Sequence, residues 1–188
     1  MNKTQARKFD DESYILHYQK FGCFPKIHQD IATIIREYAS EAEPCMDIGA
    51  CTSLLSVQAV EIGRSICVAV EANPSYIAKA VKHPLVVQER LRIKPSTLHL
   101  FERLLVAYRP TLLIARRVFS ELESPDFVSM MAEVLSRNQV EKIVLEGRTK
   151  TKAATNALPD ADAEVQALAP HYVVKYAYND VRLLCRTT

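Results

Sequence analysis

Apolar and polar positions along this chain fall into blocks that switch between helical and extended periods. Ile27, Ile31, Ile34, Ile35 and Tyr38 share one face of a 3.6-residue repeat and predict a helix. It ends near Glu43-Pro44, because proline disfavours helical geometry in the residue before it. Cys45-Met46-Asp47-Ile48 reads as a short strand, closed by Gly49-Ala50-Cys51-Thr52. Leu54, Leu55, Val57, Ala59, Val60 and Ile62 mark a second helix, with Gly63 placed to end it. Ile66 to Val70 is an uninterrupted apolar run, as in strands buried on both faces of a parallel sheet. Asn73-Pro74 opens a third helix, with asparagine as N-cap and proline in the first turn.

The pattern resumes downstream. Thr111 to Ala115 predicts a strand, and Ser124-Pro125 starts a helix carrying Phe127, Met130, Met131, Val134 and Leu135. Val140 to Leu145 is another strand, followed by a short helix around Ala163 to Leu168. Tyr172 to Tyr178 and Val181 to Arg186 flank Asn179-Asp180 and read as a β-hairpin. One more strand belongs within residues 83–95, where Leu85-Val86-Val87 and Leu91-Arg92-Ile93 compete for it. Strands alternating with helices predict a doubly wound α/β fold. The sheet is mostly parallel and seven-stranded, or six-stranded without that strand, and ends in an antiparallel hairpin. Residues 1–44 read as an N-terminal helical segment and residues 45–188 as one compact unit.

Composition narrows the class. At 188 residues, 48% hydrophobic and 24% charged, the chain suits one soluble domain with a substantial core. A formal charge of +2 neither argues for a nucleic-acid partner nor excludes a local basic patch. Four glycines are too few for a sandwich of tight turns. Cys23, Cys45, Cys51, Cys67 and Cys185 form no CxxC pair, and no histidine spacing completes a zinc site, so no metal is expected. Cys45 and Cys67 sit in apolar runs and read as buried thiols, which fits a reducing cytoplasm. Met1 to Asp10 is polar and basic with no apolar stretch behind it, so neither a signal peptide nor a membrane span is expected.

Asp47-Ile48-Gly49-Ala50-Cys51-Thr52-Ser53-Leu54 resembles the first motif of class I S-adenosylmethionine-dependent methyltransferases, an acidic residue followed by Gly-x-Gly-x-Gly. Glu71 resembles the acidic residue that ends their second strand. Leu112 to Leu122 is similar to their fourth strand and the loop after it, and the resemblance runs in order from about residue 45 to 186. Of the three motif glycines only Gly49 is present; Cys51 and Ser53 replace the others. S-adenosylmethionine carries no pyrophosphate, so this departure weighs more against a nicotinamide-dependent enzyme. Lys94-Pro95 stands where the family commonly has an adenine-contacting acid.

The resemblance implies S-adenosylmethionine as cofactor and a short list of site residues. Asp47, Gly49, Ala50, Cys51, Glu71, Ala72 and Arg116 would contact the cofactor, with Glu71 accepting from both ribose hydroxyls. Tyr18 and His28, in an N-terminal segment that folds as a lid in relatives, would touch ligand, as would Arg117. Arg116 or Arg117 would hold an anionic group, and Glu146 would serve as a general base. Each residue also has a plain structural use: a turn or cap for Asp47, solvated strand ends for Glu71 and Glu146, solvated arginines, a packed histidine. Arg148, Lys150 and Lys152 form a small basic cluster whose plain reading is a solvated loop. The expected function is methyl transfer to a small molecule or RNA; the alternative is a degenerate, non-catalytic relative acting through cofactor or protein binding. The Asn/Asp-Pro-Pro-aromatic and Pro-Cys motifs of DNA-base methylation are absent after the fourth strand.

Overall fold

The computed structural model describes residues 20, 26–38, 40, 43–51, 53–61, 66–80, 84–97, 100–119, 125–147 and 160–187. The strands are β1 (Cys45–Ile48), β2 (Cys67–Glu71), β3 (Leu91–Pro95), β4 (Leu112–Arg116), β5 (Lys142–Glu146), β6 (Tyr172–Tyr178) and β7 (Val181–Arg186). They form one seven-stranded sheet in the order β3-β2-β1-β4-β5-β7-β6. β1 to β5 run parallel, and β7 lies antiparallel between β5 and β6. The hairpin turns at Asn179-Asp180, where Asn179 supplies the positive φ of 50° that a two-residue turn needs.

Helices cover both faces. α1 (Lys26–Tyr38) and α2 (Leu54–Glu61) lie on one. Their Ile31, Ile34, Ile35, Leu55 and Val60 pack over Cys45, Cys67, Ala69, Ile114 and Val144. α5 (Phe101–Tyr108), α6 (Pro125–Arg137) and α7 (Ala161–Leu168) cover the other, over Met46, Ile48, Val70, Leu113 and Ile143. The short helices α3 (Pro74–Ala80) and α4 (Pro84–Val87) flank β3 on its way to the sheet edge. Alternation along each strand decides the faces. The fully buried isoleucines of α1 each contribute roughly 1.5–3 kcal/mol of apolar burial, which ties that helix to the sheet.

The order matters for function. From β1 the chain winds outward to β2 and β3, then returns to place β4 on the other side of β1. The ends of β1 and β4 therefore form the topological switch point, where open α/β sheets bind ligands.

The structure decides between the two candidates for the third strand. Leu85-Val86-Val87 is part of α4, and the third strand is Leu91–Pro95, extending through Lys94 and Pro95. A turn closed by Glu89 N–H on the Val86 carbonyl (3.1 Å), with Glu89 at φ 59°, reverses the chain between them. β2, β4 and β5 each run on to a charged residue, Glu71, Arg116 and Glu146.

Candidate functional site

The turn after β1 carries the main backbone irregularity at the switch point. Gly49, Cys51 and Ser53 have φ of 64°, 54° and 63°. These are the three positions of the Gly-x-Gly-x-Gly pattern, and all three keep the left-handed conformation although two have side chains. For an L-residue that conformation costs roughly 1–2 kcal/mol. Ala50 N–H bonds the Val70 carbonyl at 3.0 Å and Ser53 N–H the Ala50 carbonyl at 2.7 Å, so the strain is held by fixed bonds. Ser53 then caps α2 with its carbonyl, accepting from Val57 N–H at 2.9 Å. Gly49 is also sterically required. A Cβ there would lie 2.6 Å from Val118 Cγ2, in the loop after β4.

Glu71 ties this turn to the end of β2. Its Oε2 accepts from Cys51 N–H at 2.8 Å, and its Oε1 accepts from both Ala72 and Asn73 N–H at 2.8 Å. The residue is only 6% exposed. A carboxylate offers about four acceptor sites. Three are taken by backbone, leaving one on Oε2. Asn73 Oδ1 accepts from Ser75 N–H at 2.9 Å and starts α3.

Asp47, 2% exposed, faces α2 and accepts from Ser56 Oγ–H at 2.6 Å. It fastens the first turn of α2 to β1. Beside it, Cys45 and Cys67 occupy paired positions on β1 and β2, both buried. The neighbouring Cys45 thiol, burial and the Asp47 charge raise the Cys67 thiol well above its ordinary range, so it stays protonated. Cys45, Cys51, Cys67 and Cys185 form no disulfide.

Across the switch point, β4 and β5 place Arg116 and Glu146 at paired positions. Arg116 Nε lies 2.9 Å from Glu146 Oε2, and Arg117 Nε donates to Glu146 Oε1 at 2.8 Å. Arg117 N–H also donates to the Glu146 backbone carbonyl at 2.7 Å, which holds Arg117 at φ 54°. His28, in the first turn of α1, is 2% exposed. Burial, then the nearby Arg116 charge, lowers its pKa to about 3, so the imidazole is neutral.

The structure thus gathers Gly49, Ala50, Cys51, Glu71 and Ala72 at the ends of β1 and β2. It gathers Arg116, Arg117, Glu146 and His28 at the ends of β4 and β5. Asp47 lies beneath the turn, against α2. Tyr18, Arg148, Lys150 and Lys152 lie outside the described residues. Sequence reasoning missed Ser56 and Val118, whose importance arises from contacts distant in the chain. Among the described residues no three His, Cys, Asp or Glu side chains cluster to hold a metal, and no helix is long and apolar enough to cross a membrane.

No protein-family model and no curated sequence matches the chain. Solved structures match it in shape. The N-methyltransferase NodS from Bradyrhizobium japonicum WM9, in complex with S-adenosyl-l-homocysteine, superposes with a TM-score of 0.65 at 9% identity, over 86% of this chain and 84% of that one. Magnesium protoporphyrin IX methyltransferase (ChlM) from Synechocystis PCC 6803 with bound SAM gives 0.64 at 10% identity, over 94% and 83%. The bifunctional kinase-methyltransferase WbdD gives 0.63 at 15% identity, over 83% of this chain but 38% of that one. The chain has the class I methyltransferase fold.

Proposed function

We propose that this chain binds S-adenosylmethionine over the ends of β1 and β2 and transfers its methyl group to a small molecule or RNA. The observation that carries the reading is the turn at Gly49, Cys51 and Ser53. It keeps three left-handed residues at a topological switch point, with one amide gripped by Glu71. Strained backbone of this kind concentrates at ligand sites.

The residues fit such a ligand. Gly49 and Ala50 put no bulky side chain on the turn, although the space beside Gly49 Cα is taken by Val118 Cγ2. Glu71 has one acceptor site left on Oε2, enough for one ribose hydroxyl rather than two, and its charge makes that bond worth roughly 1.5–3 kcal/mol. When bound, the sulfonium supplies an electrophilic methyl. The chain's part is to orient the two reactants in line and exclude water between them. Cys45 and Cys67 are buried thiols, which suits a reducing compartment, and we place the protein in the cytoplasm.

Calorimetric titration with S-adenosylmethionine, S-adenosylhomocysteine and NAD tests the reading. The two sulfur ligands should bind and NAD should not. No binding of either sulfur ligand rejects it. Binding without methyl transfer to small-molecule or RNA acceptors leaves the non-catalytic relative.

A further inference from the structure

We infer that β3 and α5 build a docking surface for single-stranded RNA, with Arg92 and Lys94 as its phosphate-binding pair; that the docked RNA is the methyl acceptor rests on the methyl-transfer reading above. Arg92 and Lys94 are alternate residues of the sheet-edge strand and share one face with Tyr108 of α5, while Leu91 and Ile93 turn to the other. The Arg92 guanidinium carbon and the Lys94 Nζ lie 5.7 and 5.6 Å from the centre of the Tyr108 ring. Strand register sets Lys94 beside Val70 and Pro95 beside Glu71. The surface therefore runs up to the strand ends where we propose that the methyl donor binds.

Positive charge is concentrated here. Residues 89–109 carry five cations and two acids, whereas the whole chain has a net charge of only +2. Glu102 is turned to Arg137 at 2.7 Å and Asn138 at 3.3 Å, and Glu89 stands in the turn before β3. Among the described residues neither Arg92 nor Lys94 makes an ion pair, and both rest on the Tyr108 ring instead. Two like charges on one ring repel each other, and the negative face of the ring offsets only part of that. An anion between them relieves the remainder. Arg103 and Arg109, both exposed, continue the positive surface along α5 and past its C-terminal end.

The spacing selects the ligand. Alternate residues of a strand are roughly 6.5 Å apart, close to the step between successive phosphates of an extended polynucleotide. A row of cations at that step follows a phosphate backbone, and an aromatic ring among them is the usual companion of single-strand binding. Lipid headgroups offer the same phosphate chemistry without a linear track. The two DNA-base motifs are absent after β4, which favours RNA over DNA.

The test measures binding of a short fluorescent RNA by anisotropy over a range of salt concentrations. The wild-type protein should bind. Arg92→Gln and Lys94→Gln should each weaken binding at least about threefold and flatten the slope of log affinity against log salt by about 0.7. Lys175→Gln, exposed on β6 at the opposite edge of the sheet, changes the net charge equally and should bind like the wild type. No wild-type binding, or an equal loss in all three variants, overturns the inference. So does tighter binding of DNA of the same sequence, or capture by phosphatidylserine vesicles in preference to RNA. S-adenosylhomocysteine is titrated alongside. A protein that binds RNA but not S-adenosylhomocysteine keeps this surface and loses the methyl-transfer reading, and with it the acceptor role. One that binds S-adenosylhomocysteine but not RNA loses this inference alone. Should a variant unfold, photocrosslinking of 4-thiouridine-substituted RNA to the wild type, mapped by mass spectrometry, decides. Adducts should fall on β3 or α5, and adducts confined to other elements overturn the inference.

Discussion

Gly49 and Val118 close on each other across the switch point, with Val118 Cγ2 only 2.6 Å from where a Cβ on Gly49 would stand. The turn after β1 and the loop after β4 are therefore packed as one piece. Gly49→Ala should cost the left-handed penalty of roughly 1–2 kcal/mol plus overpacking of about 1–3 kcal/mol. Adding Val118→Ala should relieve the overpacking share and leave the backbone share. Urea denaturation of the two single variants and the double variant measures both; strictly additive losses would show that the two residues do not press on each other.

Glu71 has a structural task that its place at a strand end conceals. A solvated strand-end carboxylate would contribute little to stability, but this one accepts from three backbone amides. Glu71→Ala should lower stability by about 2–4 kcal/mol, since each buried amide left without an acceptor costs about 1–3 kcal/mol and water recovers part. Glu71→Gln, which keeps an oxygen, should lose less. A Glu71→Ala protein melting at the wild-type temperature would show that the three bonds carry no net stability.

Cys51 and Ser53 hold glycine conformations without being glycine. Cys51→Gly and Ser53→Gly should be neutral or stabilising by up to about 1 kcal/mol. Relief of about 1–2 kcal/mol of left-handed strain is opposed by about 0.4–1 kcal/mol from the freer unfolded chain. Cys51→Val, β-branched at φ 54°, should destabilise. Denaturant midpoints decide, and a Cys51→Gly variant weaker by more than 1 kcal/mol would mean that the thiol itself is holding the turn.

His28 sets part of the acid limit. Its pKa is about 3 in the folded protein against 6.5 for the exposed group. Above pH 6.5 both states are neutral and His28 has no pH effect. As pH falls from 6.5 toward 3, the unfolded chain takes up a proton that the folded one refuses. Folding stability is then lost at up to about 1.4 kcal/mol per pH unit. His28→Gln should flatten the stability profile by about one proton between pH 4 and 6. Parallel profiles for the two proteins would mean that His28 is protonated in the fold.

The buried strands were legible because residues such as Cys67 to Val70 form apolar runs, and α1 because its isoleucines repeat at helical spacing. β3 was hard to place for a physical reason. At the sheet edge Arg92 and Lys94 reach over the Tyr108 ring, at 5.7 and 5.6 Å, so the strand lacks a continuous apolar run. Leu85-Val86-Val87 has such a run but is too short to separate helix from strand. α5 was overlooked although Phe101, Leu104, Leu105 and Tyr108 follow helical spacing. In the site, the positions of Glu71 and of the motif turn were legible. The three left-handed residues were not, because Cys51 and Ser53 do not advertise a positive φ. Nor was the grip of Glu146 on both arginines, since it depends on strand register rather than on local sequence.

The outer rim of β3 has a consequence for solubility. Ser96 N–H points inward to the Glu71 carbonyl at 3.0 Å, and successive amides along a strand alternate sides, so the nitrogen of Pro95 faces outward with no hydrogen to give. A foreign strand aligning there would find a missing bond and two positive charges. The features that disguise this strand in the sequence thus also deter another chain from prolonging the sheet into an aggregate at that border.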